Sequence, residues 1–486
     1  MDFLFFVIYY NHNMKKILFT ILSVIILSQT ANALDVVYPT SAYVKINSPS
    51  TFFVGAVNSG ERLFINDEEI QVHRTGAFAQ SVKLKTGRNE FVLVSDSKTK
   101  TYVIERPLNG GSYKPAVYTK YNLPVTVEVS RAGAPIRTTA VQNGINRISH
   151  FQKGMQLKTI GELGDMYKVE LSPTQQAWIA KSDVKCKPEP YEKTFLFDYR
   201  SRETDTDYIY EFALSKKTPY SITEGDFMTL KIFNVAANED NTAVFKITLN
   251  QRLMGYDLKY RGDTLVLSIK KEPDLKKAKK LPLKNVKIVV DPGHGGRELG
   301  AVGCCRNYEK DFNLSIARYL EEYLKKMGAN VYMTRSYDKF VSLNDRVKYT
   351  NEKEAQIFVS IHANSLPDSQ NPQTHRGSSA YYYYDEARPL TEAILNSVGR
   401  SMDLNIEGVR QASFAVVRNT AAVSVLVETA YVINPYDNEL LMSDSFRRKY
   451  ALAIAEGIKD YVWQNAKTQK SKLSLHKRKI KFEKIG

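Results

Sequence analysis

Near residue 285 the sequence changes rhythm, and that change limits what the chain can fold into. Before it, from residue 35 onward, apolar and polar positions alternate in short runs broken by turn residues, which is the pattern of small β-modules. After it, apolar runs at Val286–Val290, Ala329–Met333, Ile357–Ile361, Ala380–Tyr384 and Ser424–Val427 are separated by helical stretches such as Leu314–Leu324. Alternating strands and helices specify an α/β domain. The expected fold is three small all-β modules followed by one α/β domain, and 486 residues is ample for that number.

The first β-module is read over residues 35–107. Leu63 and Ile65 are expected to pair with Ile70 and Val72 across Asn66-Asp67-Glu68-Glu69, a hairpin-like turn. The stretch LFINDEEIQVHRTGAFAQSVKLKTGRNEFVLV resembles Ig-like modules attached to exported wall and carbohydrate enzymes. Residues 108–188 begin as a Gly/Pro/Tyr linker and continue as short strands. There, ELGDMYKVELSPTQQAWIAKSDVKC resembles the second half of a bacterial SH3-like barrel, with Trp178 either in its core or serving as a ligand platform. Residues 189–270 are again strand-rich. Residues 271–284 form a charged linker with two prolines, expected to be extended and mobile. The α/β domain is read over 285–464 and a basic tail over 465–486. Its four tyrosines at 381–384 read as one strand, with core on one face and surface on the other.

The N-terminus predicts the compartment. Lys15 and Lys16 precede the apolar run Ile17–Leu27, and Ala31-Asn32-Ala33 follows it. That order is a secretory signal, residues 1–33, with cleavage after Ala33 and a true start at Met14. The mature protein is then exported, to the periplasm or the cell wall. Export excludes nucleic acid as the natural partner of the net charge of +16. That charge is also unevenly spread: segment 1–33 carries +1, the linker +4 and the tail +7, leaving +4 for the folded modules. The basic ribbons read as solvated linker and tail, or as a loose tether to anionic wall or membrane polymers that salt weakens. Cys186, Cys304 and Cys305 are too few for a disulfide scaffold, and adjacent cysteines rarely bridge each other.

Two of the seven histidines follow apolar strands. VKIVVDPGHGG places His294 in a Gly-rich turn, and IFVSIHANS ends a strand at His362. The carboxyl ends of strands in such sheets gather side chains into a crevice, where two imidazoles can share a metal. Glu309 lies at the start of a helix and Glu428 follows an apolar strand. A His–Glu–His set leaves a tetrahedral zinc one open position for water. A further carboxylate can take a proton from water and pass it to a leaving nitrogen, which is what amide hydrolysis requires. By spacing alone Glu298 is a rival for Glu309. Asp291, Gly293, Gly295 and Gly296 are expected to shape the turn that presents His294. Arg335, Asp338 and Arg346 are expected to tie loops together, with substrate contact the other reading. Asn364 orients the neighbouring ligand or meets substrate, and His375 is read as a solvated side chain.

In order, IVVDPGHGG, YEKDFNLSIA, VYMTRSYDKFVSLNDRV, FVSIHAN and VLVETAYVIN resemble the zinc-dependent N-acetylmuramoyl-L-alanine amidases of the Amidase_3 type. The resemblance covers about residues 285–462. It implies a mixed sheet flanked by helices. The implied activity is cleavage, in peptidoglycan, of the amide between the lactyl group of N-acetylmuramic acid and L-alanine. Carried over position by position, His294, Glu309 and His362 match the zinc ligands and Glu428 the catalytic glutamate, so Glu309 is selected over Glu298. With this family in view, residues 255–269 faintly resemble the targeting β-domains that precede wall amidases, and a plain β-spacer is an equal reading. Some members carry a long helical plug after the third ligand. Here only the polar stretch Ser365–Ser379 follows Asn364, which implies a site open without an activator protein. The rival readings are a zinc peptidase or deacetylase acting on the same polymer, and a non-catalytic wall-binding protein.

Overall fold

The computed structural model describes residues 34–486 except 109–115, 143, 226, 237, 250, 274–279, 473–480 and 485–486. The secretory signal, the middle of the charged linker and part of the basic tail therefore lie outside the described residues. The chain divides into two compact units, one reaching to Leu108 and including Asp368–Asn371, the other comprising Asn109–Pro367 and Pro372–Gly486.

The first unit has a three-stranded sheet, Asp35–Tyr38, Ser50–Ala56 and Ala77–Lys83, and a five-stranded one. Phe53, Phe78, Leu63, Leu93 and Ile104 are buried in its core. Asp368 accepts hydrogen bonds from the Tyr38 and Thr51 hydroxyls, both at 2.6 Å. The hairpin is tighter than expected: Leu63 pairs with Ile70, but Ile65 faces Glu68. Asn66 and Asp67 alone make the turn, with φ of 49° and 66°. Asn and Asp tolerate that left-handed region, which matches the twist of a two-residue hairpin.

In the second unit, a seven-stranded antiparallel sheet within residues 119–187 is followed by two four-stranded sheets. One apolar cluster runs through both parts, from Val127 and Phe151 to Phe212, Phe245 and Leu267. Trp178 is half-buried, edge-on to Tyr118 at 6.1 Å, with Lys168 Nζ over both rings. The linker is not extended throughout: Leu283 is fully buried, and the Pro282 carbonyl accepts from Trp463 Nε1 at 2.8 Å. The described tail backbone also has regular structure, since Lys481–Lys484 pairs antiparallel with Thr242–Thr248.

The α/β domain is built from β1 (Lys287–Pro292), α1 (Glu309–Lys326), β2 (Asn330–Met333), α2 (Leu343–Glu352), β3 (Ile357–Asn364), β4 (Ser378–Tyr382), α3 (Arg388–Ser401), β5 (Ile406–Gln411), β6 (Val423–Tyr431), α4 (Pro435–Met442) and α5 (Asp444–Lys472). The six strands form one mixed sheet in the order β2-β1-β3-β6-β4-β5, with only β4 against β6 antiparallel. β1, β3 and β6 are central and almost entirely buried, as strands covered on both faces are, with apolar runs broken by the residues of the site. The tyrosine run is not one strand. β4 ends at Tyr382, and Tyr383 and Tyr384 stack edge-to-face at 4.8 Å before the turn into α3. Tyr382 and Tyr383 are both buried, so the run does not alternate between core and surface.

Candidate active site

β1 and β3 are parallel neighbours, so their carboxyl ends lie side by side. β1 ends at Pro292 and the chain turns sharply through Gly293, His294, Gly295 and Gly296. His294 has φ of +58°, the left-handed region that a residue with a Cβ adopts only when its surroundings hold it there. Those surroundings are buried guanidiniums. Arg346 donates to the His294 carbonyl at 2.8 Å, to the Pro292 carbonyl at 2.8 Å and to Asp291 Oδ1 at 2.5 Å. Asp291 also accepts from Thr334 and Ser360, at 2.5 and 2.7 Å. Arg335, 1% exposed, donates to the carbonyls of Pro292, Gly293 and Lys310. It is therefore a strut under the turn and cannot reach substrate. Asp338 accepts from Gly296 N and Lys310 Nζ, at 2.7 and 2.6 Å, and ties the next loop to the same turn.

His294 and His362 stand with ring centroids 5.0 Å apart and nearly perpendicular, at 80°. Glu309 opens α1 and lies between them: its Oε1 is 3.2 Å from His294 Nε2 and 2.9 Å from His362 Nδ1. That oxygen also accepts from Asn313 Nδ2 and Ala363 N, both at 3.2 Å, while Oε2 accepts from Ala301 N at 2.8 Å. Burial alone would raise the Glu309 carboxyl, but the hydrogen bonds from both histidines outweigh it and hold it well below the usual carboxylate range. Burial likewise disfavours the His362 imidazolium, and Glu309 outweighs that and raises its pKa. One donor atom from each of His294, Glu309 and His362 lies within 4.8 Å of the others, and no other such group occurs among the described residues. Two imidazoles and a fixed carboxylate are the donor chemistry zinc takes, so these residues fit the ion.

Glu428 comes from β6, in register with His362 on β3. Partners in register project to the same face, so the carboxyl shares the crevice with the donor set. Its Oε2 is buried without a hydrogen-bond partner among the described residues. Burial pushes this carboxyl up to about 7. Asn364 donates to the Ser379 hydroxyl at 3.3 Å at the rim of the same strand end. Glu298, the rival of Glu309, is exposed in the turn after Gly295. His375 lies 3.8 Å from Glu407, away from the donor set. Cys304 is buried, its thiol pushed well up by burial and directed at the Ile433 carbonyl 3.3 Å away. All three cysteines are free. Two contributors escape sequence reasoning. Asn313 holds Glu309. Gly300, at φ +70°, leaves a space in which a Cβ would sit 2.5 Å from Glu309 Oε2 and 2.8 Å from His294 Cδ2. Gly293, unlike Gly295 and Gly296, is not at positive φ, and it is the space that calls for glycine, since a Cβ there would sit 2.2 Å from the His362 ring.

An α/β sheet that brings a His–Glu–His donor set and a free buried carboxyl to its strand ends defines a candidate metal-dependent hydrolase. The family model described as N-acetylmuramoyl-L-alanine amidase, Amidase_3, matches residues 288–460. The Bacillus subtilis protein YqiI, uncharacterized, is 34% identical over 181 residues, 37% of this chain and 86% of that one. The chain belongs to the Amidase_3 family. A Staphylococcus epidermidis protein described as a probable cell wall amidase, LytH, is 36% identical over 182 residues, 37% of this chain. The chain spans 60% of the length of that relative. Among solved structures, the amidase AmiC2 of Nostoc punctiforme is 37% identical, matching 37% of this chain and 98% of that one with a TM-score of 0.35.

Proposed function

We propose that the protein is a zinc-dependent peptidoglycan hydrolase that cleaves the amide between the lactyl group of N-acetylmuramic acid and L-alanine. The observation that carries this reading is the buried Glu428 carboxyl, its Oε2 unpartnered among the described residues, beside the His294–Glu309–His362 set. Zinc bound there would polarise the scissile carbonyl and lower the pKa of water to about 7. Glu428, poised near neutrality, accepts a proton from the attacking water and delivers it to the departing L-alanine nitrogen. His294 and His362 present lone pairs, and Glu309 supplies the balancing charge. The turn held by Arg335 and Arg346 keeps His294 in place before any substrate arrives.

No activator protein is needed in this reading, because residues 365–377 between β3 and β4 contain no helix that could plug the crevice. Export fits the substrate, with the two basic ribbons as tethers to anionic wall or membrane polymers. No helix of the described residues is long and apolar enough to cross a membrane. The Ig-like and SH3-like resemblances suggest wall attachment for the β-modules. Digestion of purified peptidoglycan with and without a chelator, read by mass spectrometry, tests the proposal. It expects intact glycan with free lactyl carboxylates and peptides with free N-terminal L-alanine, and no products with chelator. Cuts within the peptide or release of acetate would instead indicate a peptidase or deacetylase. Binding without any release would indicate a wall-binding protein.

A further inference from the structure

Arg137 and Arg147 lie directly opposite each other on the antiparallel strands Ala134–Arg137 and Arg147–Phe151 of the second unit. Like charges in such a pair destabilise a sheet. Arg137 is 4% exposed. Its Nη1 donates to the Pro135 carbonyl at 3.0 Å, while its buried Nε has no partner among the described residues. Arg147 Nη1 stands 3.1 Å from His150 Nε2, and its own buried Nε is also unpartnered. The Arg147 backbone N–H donates to the Tyr383 hydroxyl of the α/β domain at 3.3 Å. Arg418, from that domain, donates to the Ser413 carbonyl and hydroxyl. Its guanidinium is depressed first by burial and then by Arg147.

Among the described residues, no carboxylate forms an ion pair with Arg137, Arg147 or Arg418. Asp183, which acts on Arg137, is held at 2.5 Å by Arg131. Burial, together with Arg147, Arg418, Arg137 and Arg131, pushes His150 down to about 4. The neutral ring accepts from Arg147 through Nε2, which leaves the hydrogen on Nδ1. His150 and Arg418 line a cavity of about 1050 Å³ together with Lys153 and Lys217. Two acids on its wall are paired with lysines, Asp257 with Lys259 and Glu354 with Lys287, and Asp207 accepts from the Thr206 hydroxyl.

A cluster of one sign, partly buried and with two orphaned N–H donors, is costly unless something outside the chain balances it. Guanidiniums pair best with oxyanions, which take several N–H donors at once. We propose that Arg137, Arg147, Arg418 and His150 form a binding site for a phosphate group at the junction of the second β-module and the α/β domain. One dianion there accepts the orphaned donors and joins Arg147 on one side to Arg418 on the other.

The test is titration of the full chain with inorganic phosphate at constant ionic strength, balanced with chloride and followed by calorimetry. One saturable site is expected, weakened about ten-fold or more in Arg147→Gln and largely recovered in Arg147→Lys. Glycerol phosphate is titrated in parallel. Tighter binding of it points to a headgroup or polymer-borne phosphate, and equal binding points to free phosphate. The proposal is overturned if phosphate and chloride behave alike. It is also overturned if Arg147→Gln binds as tightly as the natural chain, since phosphate captured at the His294–Glu309–His362 set would do that. Should Arg147→Gln fail to fold, phosphorus NMR line broadening on the natural chain decides, and no saturable site would end the idea.

Discussion

Two polar clusters of the second unit treat buried charge in opposite ways. At the strand ends, His294, Glu309 and His362 satisfy one another, and Asp291 with Arg346 does the same in the layer beneath. Between the β-module and the α/β domain, Arg137, Arg147 and Arg418 meet with no carboxylate among them. The first cluster is preorganised by its own residues, so the unpartnered oxygen of its buried carboxyl, Glu428, stands out as the reactive one. The second leaves two buried donors open, the Nε groups of Arg137 and Arg147, which points to a ligand from outside. The contrast teaches that an orphan is informative against what surrounds it.

Removing the Glu428 carboxyl from the first cluster should have the largest effect. Glu428→Gln is expected to lower peptidoglycan turnover by about 10²–10⁴-fold while leaving the fold intact and the metal content, measured by mass spectrometry of the ion, unchanged. Appreciable turnover in that variant would end the assignment of Glu428. Breaking the frame comes next. Arg346 and Asp291 form a salt bridge with both side chains almost fully buried. Arg346→Met strands the Asp291 charge and releases the His294 carbonyl, so the α/β domain should lose about 3–5 kcal/mol. Calorimetric unfolding of the full chain, domain by domain, measures this. An unchanged transition would show that the turn holds without its strut.

Sequence alone reaches these clusters unevenly, for reasons the geometry makes plain. The strand-end histidines are legible because an apolar run closing on His is a local signal. Glu309 is not legible from spacing, since Glu298 fits equally well, and only the family resemblance selects it. The fold separates them by turning Glu298 to solvent and folding α1 back under the glycine loop. Asp291 and Arg346 are 55 positions apart, and nothing local says that they meet. The tyrosine run misleads since four identical residues give period-two alternation nothing to act on, and the strand stops after the second. Nothing local marks Arg137 and Arg147 as neighbours, and only the register of their strands places them opposite each other.

The arginine cluster also predicts a pH response. His150 falls from 6.5 to about 4 on folding, so the unfolded chain binds the proton more readily. Its stabilising contribution is complete above about 6.5 and drains away as pH falls toward 4. By one unit per 1.4 kcal/mol, the loss is on the order of 3 kcal/mol. Unfolding temperatures of the natural chain and of His150→Asn, compared from pH 7 to pH 4 in phosphate-free buffer, isolate it. The variant should lose less stability on acidification than the natural chain, and parallel curves would show that burial and the arginine neighbours do not hold His150 neutral.

The smallest expected effect separates backbone strain from the needs of the site. Gly300 and Gly262 both lie in the left-handed region, at φ +70° and +60°. Around Gly262 nothing stands within 4 Å of a new Cβ, so Gly262→Ala meets only the backbone penalty, about 1 kcal/mol. Gly300→Ala meets the same penalty and also drives a methyl group to 2.5 Å from Glu309 Oε2 and 2.8 Å from His294 Cδ2. Those two side chains cannot both hold their positions, and a displaced neighbour of a metal ligand typically costs about ten-fold or more in affinity. Zinc competition with a chromophoric chelator should therefore show weakened binding for Gly300→Ala and unchanged binding for Gly262→Ala, with the larger loss of stability also falling on Gly300→Ala. Equal zinc affinity in both would mean that the self-satisfied cluster can shift without loss, and that its contrast with the arginine cluster is one of charge balance and not of rigidity.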